Sequence, residues 1–198
     1  NIDGDNMLFA DLTQLQDALT RIGVDNSSQD ISGMFFKKTL DVSGYPATQV
    51  TVRFSSAVYN QWNYDSATGK YLRSVDQANA SAITDESYTP LTDRVTGETI
   101  SADNVVILFV PYSYYVKNAT EEVMDVNMIG SGDALIARDG QIFPVYWTRE
   151  SSGSTLTLVD AEGNAFPFKP GNTWFEVVGT SSEPNQDGDI WRITHVIP

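Results

Sequence analysis

YNQWNYDSATGKYLRSV, residues 59–75, decides the fold of this chain. Two aromatic-rich stretches flank Ser66-Ala67-Thr68-Gly69, a small-residue turn ending in glycine, and so read as a β-hairpin. The same grammar repeats outward from there. Val50, Val52 and Phe54 share one strand face, while Thr51 and Arg53 take the other. Residues 105–110 (VVILFV) form an apolar run with the length of a strand buried on both faces. Met124, Val126 and Met128 alternate with Asp125 and Asn127. Asp139-Gly140 between ALIAR and QIFPVYW is the strongest hairpin signal in the chain. Ala161-Glu162-Gly163-Asn164 joins TLTLV to AFPF in the same way. Pro144 lacks an N–H, so its strand is expected at an edge or bulged there. Residues 76–103 are expected to form a long surface excursion.

One segment reads as helix. Leu12, Leu15, Leu19 and Ile22 recur at helical spacing, Asp11 with Gln14 gives a capping-box pattern, and Gly23 supplies the stop. The expected class is therefore mainly β (α+β): antiparallel sheets in a hairpin meander, with one N-terminal amphipathic helix over 11–22. Residues 1–178 are expected to form the β-rich domain. Residues 179–188 (GTSSEPNQDG) read as a polar linker, and residues 189–198 as an extra C-terminal strand.

Composition narrows the partners. The 198 residues carry 26 acidic and 12 basic side chains, a net charge of −14. The acidity is spread along the chain. Such a surface repels phosphate backbones, so nucleic acid is not an expected partner. No cysteine is present, which removes disulfides, thiol catalysis and thiolate metal sites. No apolar run approaches the roughly 20 residues of a spanning helix. The chain begins at Asn1 without a recognisable signal peptide and is expected to be processed or partial. Contact with a membrane is expected only through an anchor lying outside it.

The hairpin at 59–75, TGETISADNVVILFV (96–110), MIGSG (128–132), ARDGQIFPVYW (137–147) and PGNTWFEVV (170–178) occur in this order. Together they resemble the C-terminal half of the YerB-like lipoprotein family, a bacterial cell-envelope family of unknown activity. NMLFADLTQLQDAL at the start is similar to the family segment that leads into a helix. The resemblance implies an extracytoplasmic, mainly β protein with no known catalytic residue. It also implies a further domain before this region and an end soon after NTWFEVV. This chain continues for about twenty residues past that point.

Candidate chemistry is sparse. His195, the only histidine, shares a strand face with Trp191 and Ile193, the setting of a packed side chain. No G-x-S-x-G elbow occurs, and Gly130-Ser131-Gly132 lacks the lysine of a phosphate loop. No enzyme is expected. Asn1, Asp3 and Asp5 repeat the N-x-D-G-D pattern of Asn185, Asp187 and Asp189. Alternating oxygens suit calcium, but the same residues form turns, and the EF-hand spacing is not met. No other cofactor is expected. Tyr59, Trp62 and Tyr64, with Tyr112, Tyr114 and Tyr115, either present rings to a ligand or fill the core. Ile190, Trp191, Ile193, His195 and Ile197 either add to a neighbour's sheet or fold back on their own. Three functions follow. The first is a binding domain for a partner protein or wall glycan. The second is a self-associating subunit of a surface assembly. The third and weakest is a hydrolase.

Overall fold

A computed structural model describes residues 12–23 and 32–197. The chain divides into two compact units, 1–31 and 32–198. The first contains α1 (Leu12–Ile22), followed by Gly23 at φ 71°, the left-handed residue that ends a helix. Its cap residue Asp11 lies outside the described residues, as do Asn1, Asp3 and Asp5.

The second unit holds fifteen strands: β1 (Tyr45–Pro46), β2 (Gln49–Arg53), β3 (Tyr59–Asp65), β4 (Lys70–Asp76), β5 (Tyr88–Pro90), β6 (Ser101–Ala102), β7 (Asn104–Val110), β8 (Tyr112–Lys117), β9 (Glu122–Val126), β10 (Gly130–Arg138), β11 (Gln141–Arg149), β12 (Thr157–Val159), β13 (Thr173–Gly179), β14 (Pro184–Asp187) and β15 (Ile190–Thr194). One sheet runs β1-β11-β10-β7-β13, with β12 also on β11. The other runs β14-β15-β2-β3-β4-β5, with β6 also on β4. β8 and β9 form a separate hairpin.

Alternation explains the layers. Val50, Val52, Trp62, Tyr71, Trp191 and Ile193 of the second sheet meet Val105, Ile107, Leu135, Ala137 and Val178 of the first in one core. The opposite face of the first sheet carries Val106, Leu108, Ile136, Val145 and Trp147, covered by Phe166, Phe168, Met34 and Leu40. All seven residues of β7 are therefore buried, as an unbroken apolar strand requires. The chain changes sheets at three places. Ala47 and Thr48 separate β1 from β2, Asp103 separates β6 from β7, and residues 180–183 separate β13 from β14.

The hairpins form where their turn residues stand. Asp139 and Gly140 both take positive φ, 55° and 72°, the requirement of a two-residue type I′ turn. At 66–69, Asp65 accepts from the Ala67 N–H (3.0 Å) and the Thr68 hydroxyl (2.7 Å), and Gly69 takes φ 70°. Pro144 falls between the stretches of β11 that pair with β1 and with β12, so its missing N–H leaves no ladder bond unmade. Residues 76–103 are more ordered than a surface excursion. β5 and β6 pair with β4, Thr92 bridges Thr99, and Ala80 is fully buried.

Two departures concern the C-terminal part. The sheets are mixed, because β13 joins β7 and β15 joins β2 in parallel. Both strands return after long connections, which parallel pairing demands. The segment 179–188 is no linker. β13 ends within it, β14 occupies four of its residues, and Gly188 (φ 61°) opens the two-residue turn into β15. β15 is held on one side by β14 and on the other by β2, and Trp191 and Ile193 lie in the inter-sheet core. With both edges occupied, Ile190, Trp191 and Ile193 have no free ladder for a neighbour's sheet. The terminal strand folds back on its own sheet.

A candidate ligand groove at the sheet corner

The sheet-changing corner at Asp103 is locked by the PGNTW turn. Gly171 adopts φ 136° and lies so close to Asp103 that a Cβ there would meet Oδ2 at 2.1 Å. That approach lets the Asn172 N–H donate to Asp103 Oδ2 (3.0 Å), while the Asp103 and Asn104 N–H groups donate to Asn172 O (2.8 and 3.1 Å). Asn104 fixes the other side, donating to Lys169 O (2.8 Å) and Thr173 Oγ1 (3.0 Å) and accepting from Lys169 N (2.7 Å).

Facing this turn is a second one. Asp93 Oδ1 accepts from the Val95 and Thr96 N–H groups (2.9 and 2.7 Å), Gly97 takes φ 74°, and Thr92 bridges Thr99. The Thr96 and Val95 amides hold the Asp93 carboxyl below the usual carboxylate range. Between the two turns lies a groove of about 550 Å³ lined by Asp93, Thr96, Glu98, Thr99, Ile100, Ser101, Gly171, Asn172, Thr173 and Trp174. Carboxylates, hydroxyls and an amide stand beside one half-buried indole.

That indole leads into a buried polar cluster. Trp174 lies 5.4 Å from Trp62, and the Arg73 guanidinium sits over both rings, at 4.2 and 5.7 Å. The Trp62 indole N–H donates to Glu176 Oε1 (2.9 Å), and Asn60 Nδ2 lies 3.5 Å from Oε2. Glu176 is 4% exposed. Burial pushes its carboxyl up, against the Trp62 indole, Arg73, Asn60 and Trp174. Asn60 Oδ1 and Arg73 Nε are buried without a partner among the described residues.

The aromatic residues expected as a ligand platform separate. Tyr59 and Trp62 are fully buried, and Tyr64 packs on Tyr71 (5.2 Å) and over Gly140. These three build the fold, because alternation carries Trp62 and the partly buried Tyr64 inward while Tyr59 packs against Tyr88. Tyr112 donates to Val177 O (3.1 Å) and packs on His195 (5.1 Å). Tyr114 carries the Lys117 ammonium over its ring, and Tyr115 is 80% exposed, both on the β8–β9 hairpin. His195 Nδ1 accepts from the Gly179 N–H (3.1 Å) between Phe54 and Tyr112, and burial lowers its pKa. Ile197 lies beyond the end of β15.

Asn185 and Asp187 lie exposed on β14, and Asp189 Oδ2 accepts from the Thr48 hydroxyl (2.6 Å). Among the described residues, no three acidic or histidine side chains are grouped to hold a metal. The clamp around Glu86 was not anticipated. Arg53 and Arg192 each reach Oε1 at 2.5 Å, and the Tyr88 hydroxyl reaches Oε2 at 2.6 Å. Burial pushes Glu86 up, but Arg192, Tyr88 and Arg53 outweigh it and hold the carboxyl below its ordinary range.

Three comparisons bear on this geometry. The model of the C-terminal domain of a protein of unknown function (DUF3048) matches residues 50–175. The chain is 26% identical over 118 residues to Putative lipoprotein YerB of Bacillus subtilis (strain 168), covering 60% of this chain and 30% of that protein. The crystal structure of YerB protein from Bacillus subtilis matches with a TM-score of 0.62 at 21% identity, covering 84% of this chain and 50% of that one. The chain thus spans half or less of the length of these relatives. It belongs to the DUF3048 family through that C-terminal domain.

Proposed function

We propose that this member of the DUF3048 family is a non-catalytic binding domain of the cell envelope whose groove at the Asp103 corner takes a wall glycan. The supporting observation is the groove itself. About 550 Å³ lies open between two rigid turns, with hydroxyl, amide and carboxylate groups converging beside the Trp174 indole. Sugars are recognised by that combination of an apolar ring surface and fixed polar groups. Apart from Asp93, the lining comes from segments that carry the family resemblance, within 96–101 and 171–174. The location outside the cytoplasm rests on the lipoprotein relative. Glu176 fits a binding role, since its oxygens are taken by indole and amide donors inside the core.

The test is titration of soluble wall oligosaccharides, followed by tryptophan fluorescence and calorimetry. Saturable binding is expected, weakened at least tenfold by Trp174→Ala and unaffected by Tyr115→Ala. Heat-free titrations with every oligosaccharide would overturn the reading. One observation favours a partner protein instead: the β8–β9 hairpin stands outside both sheets and exposes Tyr115 and Val123. Capture of an envelope protein that is lost with Tyr115→Ala, and kept with Trp174→Ala, would establish that second reading.

A further inference from the structure

A second cavity lies away from the groove, at the β14 edge of the sandwich. It encloses about 310 Å³ and has an apolar floor of Phe109 and Leu135, both inter-sheet core residues less than 10% exposed. Asp133 and Tyr146, direct cross-strand partners on β10 and β11, stand at its lining with Ser182 and Thr180. The alternation of β10 explains the placing. Gly132 lies against Trp147 on the far face, so Asp133 and Leu135 share the near one.

Ser182 is a fixed part of the wall. It is 4% exposed, and its Oγ accepts the Val196 N–H at 2.9 Å. The rim carries one carboxylate, Asp133, and no basic side chain lines the cavity.

We infer that this cavity is a binding site for a small aromatic amine, its ring on Phe109 and Leu135 and its ammonium against the Asp133 carboxylate. The size agrees. Taking about 30 Å³ as the share of one water-sized group, the space admits roughly ten to a dozen non-hydrogen atoms. That is one ring with a short amino side chain. The charge agrees as well, because a chain of net charge −14 concentrates cations and repels anions. This site is independent of the glycan groove, since the two linings share no residue.

The experiment uses the full chain and three matched probes, tryptamine, indole and indole-3-propionate, followed by calorimetry and by chemical-shift changes of the Leu135 and Ala161 methyl groups. Tryptamine is expected to bind at least tenfold more tightly than indole, with indole-3-propionate weakest. Asp133→Asn is expected to equalise tryptamine and indole. It changes an exposed side chain, so a preserved melting temperature verifies the fold. Ala161→Phe, which places a ring at the lining, is expected to abolish binding of both. Equal affinity for the amine and the carboxylate would overturn the assignment, as would shifts that spare residues 135 and 161, or no binding at millimolar probe.

Discussion

Replacing Gly171 with alanine tests how the corner at Asp103 is held. The new Cβ would lie 2.1 Å from Asp103 Oδ2 and 2.3 Å from Cγ, distances no contact tolerates. It would also sit at φ 136°, which L-residues rarely adopt. The backbone strain costs about 1–3 kcal/mol. Expelling the carboxylate forfeits its bond from the Asn172 N–H, about 1.5–3 kcal/mol for a charge-assisted bond. The Lys70 ammonium at 3.5 Å adds little, being one-third exposed. Gly171→Ala should therefore destabilise by about 2.5–6 kcal/mol. Asp103→Ala alone removes the same hydrogen bond and should cost about 1.5–3 kcal/mol. In the double variant that bond can be lost only once, and the atoms at 2.1 and 2.3 Å are gone. The pair should fall short of additivity by about 1.5–3 kcal/mol. Urea unfolding of all four proteins, read by tryptophan fluorescence, supplies the cycle. Additivity within about 0.5 kcal/mol would show that Gly171 and Asp103 do not act as one unit, and the account of the corner would fail.

Other outcomes follow from buried polar groups. Arg138 is fully buried and donates to Pro167 O and Lys38 O, both at 3.0 Å, and to Asp139. Arg138→Met keeps the volume but strands two carbonyls, so a loss of about 2–5 kcal/mol is expected in urea, and less than 1 kcal/mol would refute it. The lowered pKa of His195 means its stabilising contribution is present above pH 6.5, its unfolded value, and is lost as pH falls through the lower folded value. His195→Gln should flatten the decline of melting temperature on acidification, and an unchanged slope would refute the role of Nδ1. Glu176 has the opposite sign. Its folded pKa is raised, so its contribution is complete below pH 4.5 and lost as pH rises through the folded value. The stability of Glu176→Gln relative to the native protein should rise between pH 4.5 and 8, and a constant difference would show that the carboxyl is not desolvated.

The legible parts of the fold were those set by local rules. Asp139-Gly140 can take two positive φ angles, and the 105–110 run has no polar residue with which to face water, so hairpin and central strand could be read directly. The groove was half legible. PGNTW announced a fixed turn, but its partner Asp103 lies 68 positions from Gly171, and no local pattern couples them. Glu176 carried a signal that went unread. It shares a core-facing strand face with Trp174 and Val178, where a carboxylate demands buried donors. The 59–64 group of the expected aromatic residues turns inward for a related reason. Trp62 shares one strand face with Asn60 and Tyr64 whichever way that face turns, and only the register with β2, Val50 opposite Trp62, shows that it turns inward.

The parallel seating of β15 against β2 has a consequence for how the molecule is made. Ile193 pairs with Val52 across some 140 residues of intervening chain, so the second sheet cannot close until β15 has been made. Loop closure of that span is slow compared with the zipping of local hairpins. Until it happens, β2 offers an unpaired apolar edge to any passing strand. β15 is thus a fastening that engages late. A helper that shields β2 until β15 arrives is expected to raise the yield of the native form.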